Sequence, residues 1–278
     1  MRTIIGRSAV LFMLVGVVAA CSDNNVPTAP VRPSPDALNG IVQLDKNTIP
    51  GNHEVKLVRA TGDITEAVDD YRDLLGALNP NTAGEKASGH REINWDGVPA
   101  AFTDNDLFPG NFFNVNSPRG VLFSTNGFGF RTSSNGYTDV NPEYADEFNT
   151  FSPVKLFVAR GSTIIDVQFV VAGSNTPAVV TGFGSVFADV GRAHSTTIEY
   201  FDARGRSLLT ITAPRRSDAR GLSFAGAVFD EPIVARVRIT AGNTPVDATA
   251  FDNVKGAGKK FDIVATDDFI YGEPHPLN

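Results

Sequence analysis

The chain has 278 residues, 42% of them apolar and 20% charged, with 24 lysines and arginines against 31 acids for a formal charge of -7. That apolar fraction excludes a wholly disordered chain, and the acidic balance excludes a general nucleic-acid binder, which needs cations to neutralise phosphates. The single cysteine, Cys21, excludes an internal disulfide framework and a cysteine-rich zinc site.

Residues 1–20 place Arg2 and Arg7 around the start of an apolar run that ends in small residues. A basic start followed by a short apolar stretch is a secretory signal, too short to span a bilayer comfortably. Its end, Val18-Ala19-Ala20-Cys21, resembles the bacterial lipobox, where cleavage precedes a cysteine whose sulfur carries a diacylglycerol. The resemblance implies that 1–20 is a lipoprotein signal peptide and that Cys21 is the lipidated first residue of the mature chain. It further implies an exported protein held on a membrane by its acyl chains. Ser22 in place of aspartate after the cysteine implies, by the same resemblance, the outer membrane or cell surface. Residues 21–36 carry four prolines and almost no large apolar side chains, and read as a Pro-rich tether.

Residues 37–89 read as an accessory segment. A short hairpin is placed around Ile49-Pro50-Gly51-Asn52, and one helix is predicted over about 63–78. Ile64, Val68, Tyr71, Leu74, Leu75 and Leu78 recur at helical spacing, Asp63 with Glu66 matches a capping box, and Asn79-Pro80 is the expected stop. Such a helix is expected to lie over one end or face of a sheet.

From about residue 92 the pattern becomes short β-type runs separated by Gly, Pro, Asn and Asp. Strands are predicted at 120–124, 128–132, 154–159, 163–171, 178–190, 196–203, 207–213, 222–229, 234–241 and 262–271. Ala235, Val237 and Ile239 alternate with Arg236 and Arg238, and Val167, Phe169 and Val171 repeat the alternation, so each strand has one buried and one wet face. The segment 201–207 is a turn, with Gly205 suited to a left-handed backbone position. The predicted fold is mainly β, a jelly-roll-like antiparallel β-sandwich over 90–278 with a short N-terminal helical segment.

The segments 89–98 (Gly-His-Arg-Glu-Ile-Asn-Trp-Asp-Gly-Val), 111–114 (Asn-Phe-Phe-Asn), 117–121 (Ser-Pro-Arg-Gly-Val) and 127–130 (Gly-Phe-Gly-Phe) resemble a family of exported bacterial β-sandwich proteins. The segments 181–190, 197–202 and 267–272 (Asp-Asp-Phe-Ile-Tyr-Gly) resemble the same family. The likeness spans roughly residues 64 to 272 and brings no activity with it. The closing strand is also similar to those of jelly-roll lectin-like and carbohydrate-binding modules, which implies a sugar ligand and a structural calcium ion.

The four histidines, His53, His90, His194 and His275, form no His-Glu-x-x-His pattern, and no Gly-x-Ser-x-Gly elbow occurs. Gly127-Phe-Gly and Gly182-Phe-Gly do not continue as phosphate loops, so no nucleotide is expected. Trp95, the only tryptophan, and Asp96 beside it are the candidate ligand-binding residues. Exposed, Trp95 makes a sugar-stacking platform; buried, it is a core anchor with its ring nitrogen hydrogen-bonded. Asn111-Phe112-Phe113-Asn114 admits the same two roles. Asp267 and Asp268 are the candidate calcium ligands, although in a regular strand neighbouring side chains face opposite sides, so that one ligates while the other caps or meets water.

The expected role is non-catalytic binding at the cell envelope or surface, of a carbohydrate and with calcium support, and no residue is assigned to catalysis. The alternatives are a polysaccharide hydrolase and a protein-binding adhesion or structural lipoprotein. The hydrolase would use a carboxylate pair drawn from Asp96, Glu199, Asp202, Asp267 and Asp268.

Overall fold

The computed structural model describes residues 40–44, 49–216, 220–250 and 261–277, with side chains from Ile49 onward. The segments read as signal peptide and tether, with Cys21, lie outside the described residues.

Two antiparallel sheets pack as a sandwich. The larger runs in the order β1 (Gly40–Leu44), β2 (Val55–Gly62), β12 (Leu222–Phe229), β9 (Gly182–Ala188), β14 (Ala265–Gly272), β6 (Leu156–Arg160) and β5 (Gly129–Ser133), and β3 (His90–Ile93) pairs with β14 as well. The smaller runs β11 (Ser207–Thr212), β10 (Thr197–Phe201), β13 (Arg236–Thr240), β7 (Ile164–Phe169) and β4 (Val121–Ser124). A short pair, β8 (Ala178–Val179) with β15 (His275–Pro276), lies apart from both. From β6 to β14 the chain changes sheet at most of its connections, the wiring of a jelly-roll-like sandwich.

The alternation read from the sequence sets the inner face. Val237 and Ile239 are buried while Arg236 and Arg238 are partly exposed and share the Asp166 carboxylate. Phe169 of β7 meets Phe183 of β9 and Tyr271 of β14, and the Tyr200 hydroxyl donates to the Phe183 carbonyl at 2.7 Å, tying one sheet to the other. The turn after β10 has Gly205 at φ +75°, with Asp202 accepting from the amides of Arg204 and Arg206.

The segment 37–89 is part of the sandwich rather than an appendage. β2 pairs along its whole length with β12, and it forms a hairpin with β1 through the turn at Ile49 to Asn52. The helix α1 (Thr65–Leu75) lies on the face of the larger sheet turned away from the smaller one, its buried side chains Val68, Tyr71 and Leu75 packed with Val58, Val186, Phe224 and Ile270. The predicted capping box does not form: the N-cap is Ile64, with no side-chain cap, and Asp63 accepts only from the Thr65 amide at 3.1 Å. The helix ends at Gly76, φ +91°, three residues before Asn79, because a left-handed glycine closes the last turn onto the Arg72 and Asp73 carbonyls. Leu78 therefore falls outside the helix and is 60% exposed.

Tyr71 can sit this low because Gly184 and Gly226 are register partners on adjacent strands. A Cβ on Gly226 would lie 2.6 Å from the Tyr71 ring, and one on Gly184 2.9 Å from it. The tyrosine hydroxyl reaches the Ala227 carbonyl at 3.1 Å.

Candidate functional site

After Ile93 the chain turns sharply. The Asp96 amide donates to the Asn94 carbonyl at 2.8 Å, the Val98 amide to Trp95 at 2.9 Å, and Trp95 itself is left-handed at φ +65°. This turn, the 3-10 turn Ala100–Phe102 and the short helix α2 (Phe112–Val115) border a cleft of about 420 Å³. Its apolar lining is Trp95, Val98, Pro99, Phe102, Phe112 and Phe113, and its polar lining is Asn94, Asn116, Ser117 and Arg119. The volume falls within the roughly 300–1,000 Å³ of small-molecule sites, and an aromatic wall with a few placed polar groups is their usual composition.

Arg119 is the one charged residue of that lining. Its Nε donates to the Glu92 carbonyl at 2.8 Å, its Nη1 donates to Ser117 Oγ, and the guanidinium carbon stands 4.9 Å from the Phe113 ring centroid. It makes no ion pair among the described residues. Burial, and to a lesser degree the nearby Arg91 charge, hold its pKa below the usual arginine value.

Trp95 is 1% exposed. Its ring stacks on Phe157 at 3.9 Å and 9°, meets Phe108, Phe113 and Phe269 edge-on, and donates its ring N–H to the Asp267 carbonyl at 2.6 Å. Of the two roles open to Trp95 the structure shows the core anchor with its ring nitrogen hydrogen-bonded, because a ring closed in on this scale leaves no open face for a sugar. Trp95 is the floor of the cleft and the anchor of the core. For Asp96 the expected role is corrected: its Oδ1 accepts from the amides of Val154 and Lys155 at 2.7 and 3.1 Å, so it fastens the segment 151–155. Phe112 and Phe113 are buried in the core and border the cleft.

Asp267 and Asp268 do not face opposite sides. The register between β14 and β9 shifts between Thr266 and Phe269, so these two residues stand opposite one, and the bulge lets both carboxylates reach the Ser152 hydroxyl, at 3.2 and 2.6 Å. Asp267 also accepts from the Phe151 amide at 2.6 Å. Both acids are buried. One hydroxyl proton cannot serve two carboxylates, so one carboxyl must itself donate. Burial, then the Asp268 charge, pushes Asp267 up to about 9, and burial raises Asp268 as well.

Arg72 approaches Asp268 at 3.8 Å but holds Glu92 at 2.7 Å. Burial pushes the Glu92 pKa up, and the hydrogen bonds from His90 and Arg72 outweigh it and hold that acid below its ordinary value. Calcium takes six to eight oxygen ligands. Here the oxygens are occupied by Ser152 and the Phe151 amide, a guanidinium stands beside them, and no group of three or more His, Cys, Asp or Glu is arranged for a metal among the described residues. The donor set around Asp267 and Asp268 does not fit the ion.

The other acids considered for hydrolysis stand apart. Glu199 faces Arg238 across β10 and β13, and Asp202 closes its turn and pairs with Arg206. Behind the cleft, Arg91 and Glu273 form a fully buried bidentate pair at 2.7 and 2.8 Å, and Arg91 donates further to the carbonyls of Pro80, Thr82, Gly84 and Pro118. Sequence reasoning did not single out Arg119, Asn94 or Asn116. A signal existed: residues 107–138 contain no acid and only two charges, Arg119 and Arg131, in a chain that is acidic as a whole.

No family model, curated protein or solved structure matches the chain. The mainly-β sandwich therefore stands on its own topology, and the site on its own geometry.

Proposed function

We propose that the chain is an exported, lipid-anchored envelope or surface protein whose sandwich binds carbohydrate without transforming it. The lipobox-like end of the apolar run at Val18-Ala19-Ala20-Cys21 supports export and anchoring, and the two-sheet sandwich is an architecture on which sugar-binding sites are built. The observation that carries it is the cleft over Trp95. The apolar wall of Val98, Pro99 and Phe102 gives van der Waals contact to the C–H groups of a sugar ring, Asn94, Asn116 and Ser117 suit its hydroxyls, and the lining holds no carboxylate to act as acid or nucleophile. The binding role is proposed without calcium at Asp267 and Asp268.

A glycan array probed with the purified protein tests it. Binding is expected to a set of related glycans and to be lost on Asn116→Ala, a change at an exposed lining residue. Silence across neutral and acidic glycans would refute the proposal, and release of reducing sugar from a polysaccharide would replace it with the hydrolase. Cys21→Ser is expected to abolish acyl labelling; unchanged labelling and membrane retention would remove the anchor.

A further inference from the structure

The geometry points to a carboxylate-bearing sugar, a uronate, as the ligand of this cleft, with Arg119 as the partner of the sugar carboxylate. The inference rests on the carbohydrate-binding proposal and adds to it the charge and chemical class of the ligand.

Three observations carry it. First, Arg119 lies in a cleft without an acid, whereas the arginines nearby are neutralised: Arg91 by Glu273 and Arg72 by Glu92 and Asp69. A partly buried guanidinium without a counter-ion is costly, and a bound anion removes that cost. Second, the group is held in place. Nε is fixed on the Glu92 carbonyl, Nη1 on Ser117, and the plane is steadied by the Phe113 ring, while Nη2 has no partner among the described residues. A pre-positioned guanidinium loses little freedom on taking an oxyanion and offers directional charge-assisted bonds.

Third, the rest of the lining is neutral. A single cation beside aromatic rings and amide side chains matches a singly charged carboxylate on a polyhydroxylated ring. A phosphate dianion would call for more cations than this lining supplies. In a chain of net charge -7, general electrostatics would repel a polyanion, so recognition must come from the local group, and it should weaken with salt.

The test uses the mature lipoprotein in neutral detergent micelles, with Trp95 fluorescence as the readout, since the only tryptophan lines the cleft. The probes are the singly charged methyl glycosides of galacturonate, glucuronate, mannuronate and guluronate, each beside its methyl ester, which keeps the ring and removes the charge. At least one free acid is expected to bind about ten- to a hundredfold more tightly than its ester, the range for a hydrogen bond to a charged group. Arg119→Gln should abolish that difference, and Arg119→Lys should restore part of it.

Asn116→Ala should weaken acid and ester alike. Equal binding of acid and ester by the native protein overturns the uronate inference and leaves carbohydrate binding intact. Absence of binding by every acid, ester and neutral glycan overturns both. The acid-to-ester comparison is made on the unaltered chain, so it decides the matter even where Arg119→Gln fails to fold.

Discussion

Replacing Asp267 with asparagine should make the protein less sensitive to alkali. The folded carboxyl is pushed up to about 9 by burial and by the Asp268 charge, whereas an aspartate in the unfolded chain titrates near 3.9. Over the interval between these values the folded state keeps a proton that the unfolded state has released. Stability from this group is therefore fullest below about pH 4 and declines as pH rises toward 9, by about 1.4 kcal/mol per pH unit. From pH 6 to pH 8 the native protein should lose about 3 kcal/mol on this account.

The asparagine carries no titrating proton, yet it reproduces the neutral acid: its carbonyl can accept from the Phe151 amide and its NH2 can donate where the carboxyl proton did. Glu92, held below its ordinary value, contributes with the opposite sign and only in the acid range, while Asp268, raised by burial, contributes with the same sign; both remain in the variant with Arg72, so the difference between the two proteins reports the proton held by Asp267. Urea unfolding followed by Trp95 fluorescence at pH 5, 6, 7 and 8 should give a stability difference that grows in favour of Asp267→Asn by about 3 kcal/mol between pH 6 and 8. That corresponds to roughly 6–12 °C in relative melting temperature for a domain of this size. A difference that stays constant over this range would refute the shared-proton account of the pair.

Glu273→Gln leaves Arg91 charged in a site where both side chains are 0% exposed, and a loss of about 3–5 kcal/mol is expected from a urea midpoint; a loss under about 1 kcal/mol would mean that the carbonyls around Arg91 suffice without the carboxylate. Gly226→Ala puts a methyl group 2.6 Å from the Tyr71 ring, so it should cost about 1–3 kcal/mol. The cost should fall when Tyr71→Leu is added, and additive losses would show that the helix does not rest on the glycine pair.

The strands were legible in the sequence because burial on one face writes a period of two into residues such as Val237 and Ile239, with Arg236 and Arg238 between them. The helix was legible for the same reason with a different period, but its end was not. Leu78 continued the apolar spacing, and the left-handed Gly76 carried more weight than that spacing. Asp267 and Asp268 were misplaced because alternation assumes an unbroken strand. The shift in register against β9 depends on a pairing partner about eighty residues away in the chain, and nothing in Asp-Asp-Phe-Ile-Tyr-Gly announces it.

The cleft was hidden for a related reason. Sequence patterns reveal surfaces that are buried within one element, whereas this cleft is assembled from a turn after β3, a 3-10 turn and a short helix. Its most conspicuous residue admitted two roles, and the sequence could not choose between them; the left-handed backbone at Trp95 and the ring enclosed among Phe157, Phe108 and Phe269 select the core anchor. The residue on which the ligand inference rests is ordinary in type. Arg119 stands out only by what the fold places around it, and the acid-free stretch 107–138 is a partial trace of that. The stretch alone does not separate the two arginines it contains, because Arg131 is paired with Asp106 and Asp139 from just beyond its ends; only the fold, which brings no carboxylate to the cleft lining, sets Arg119 apart.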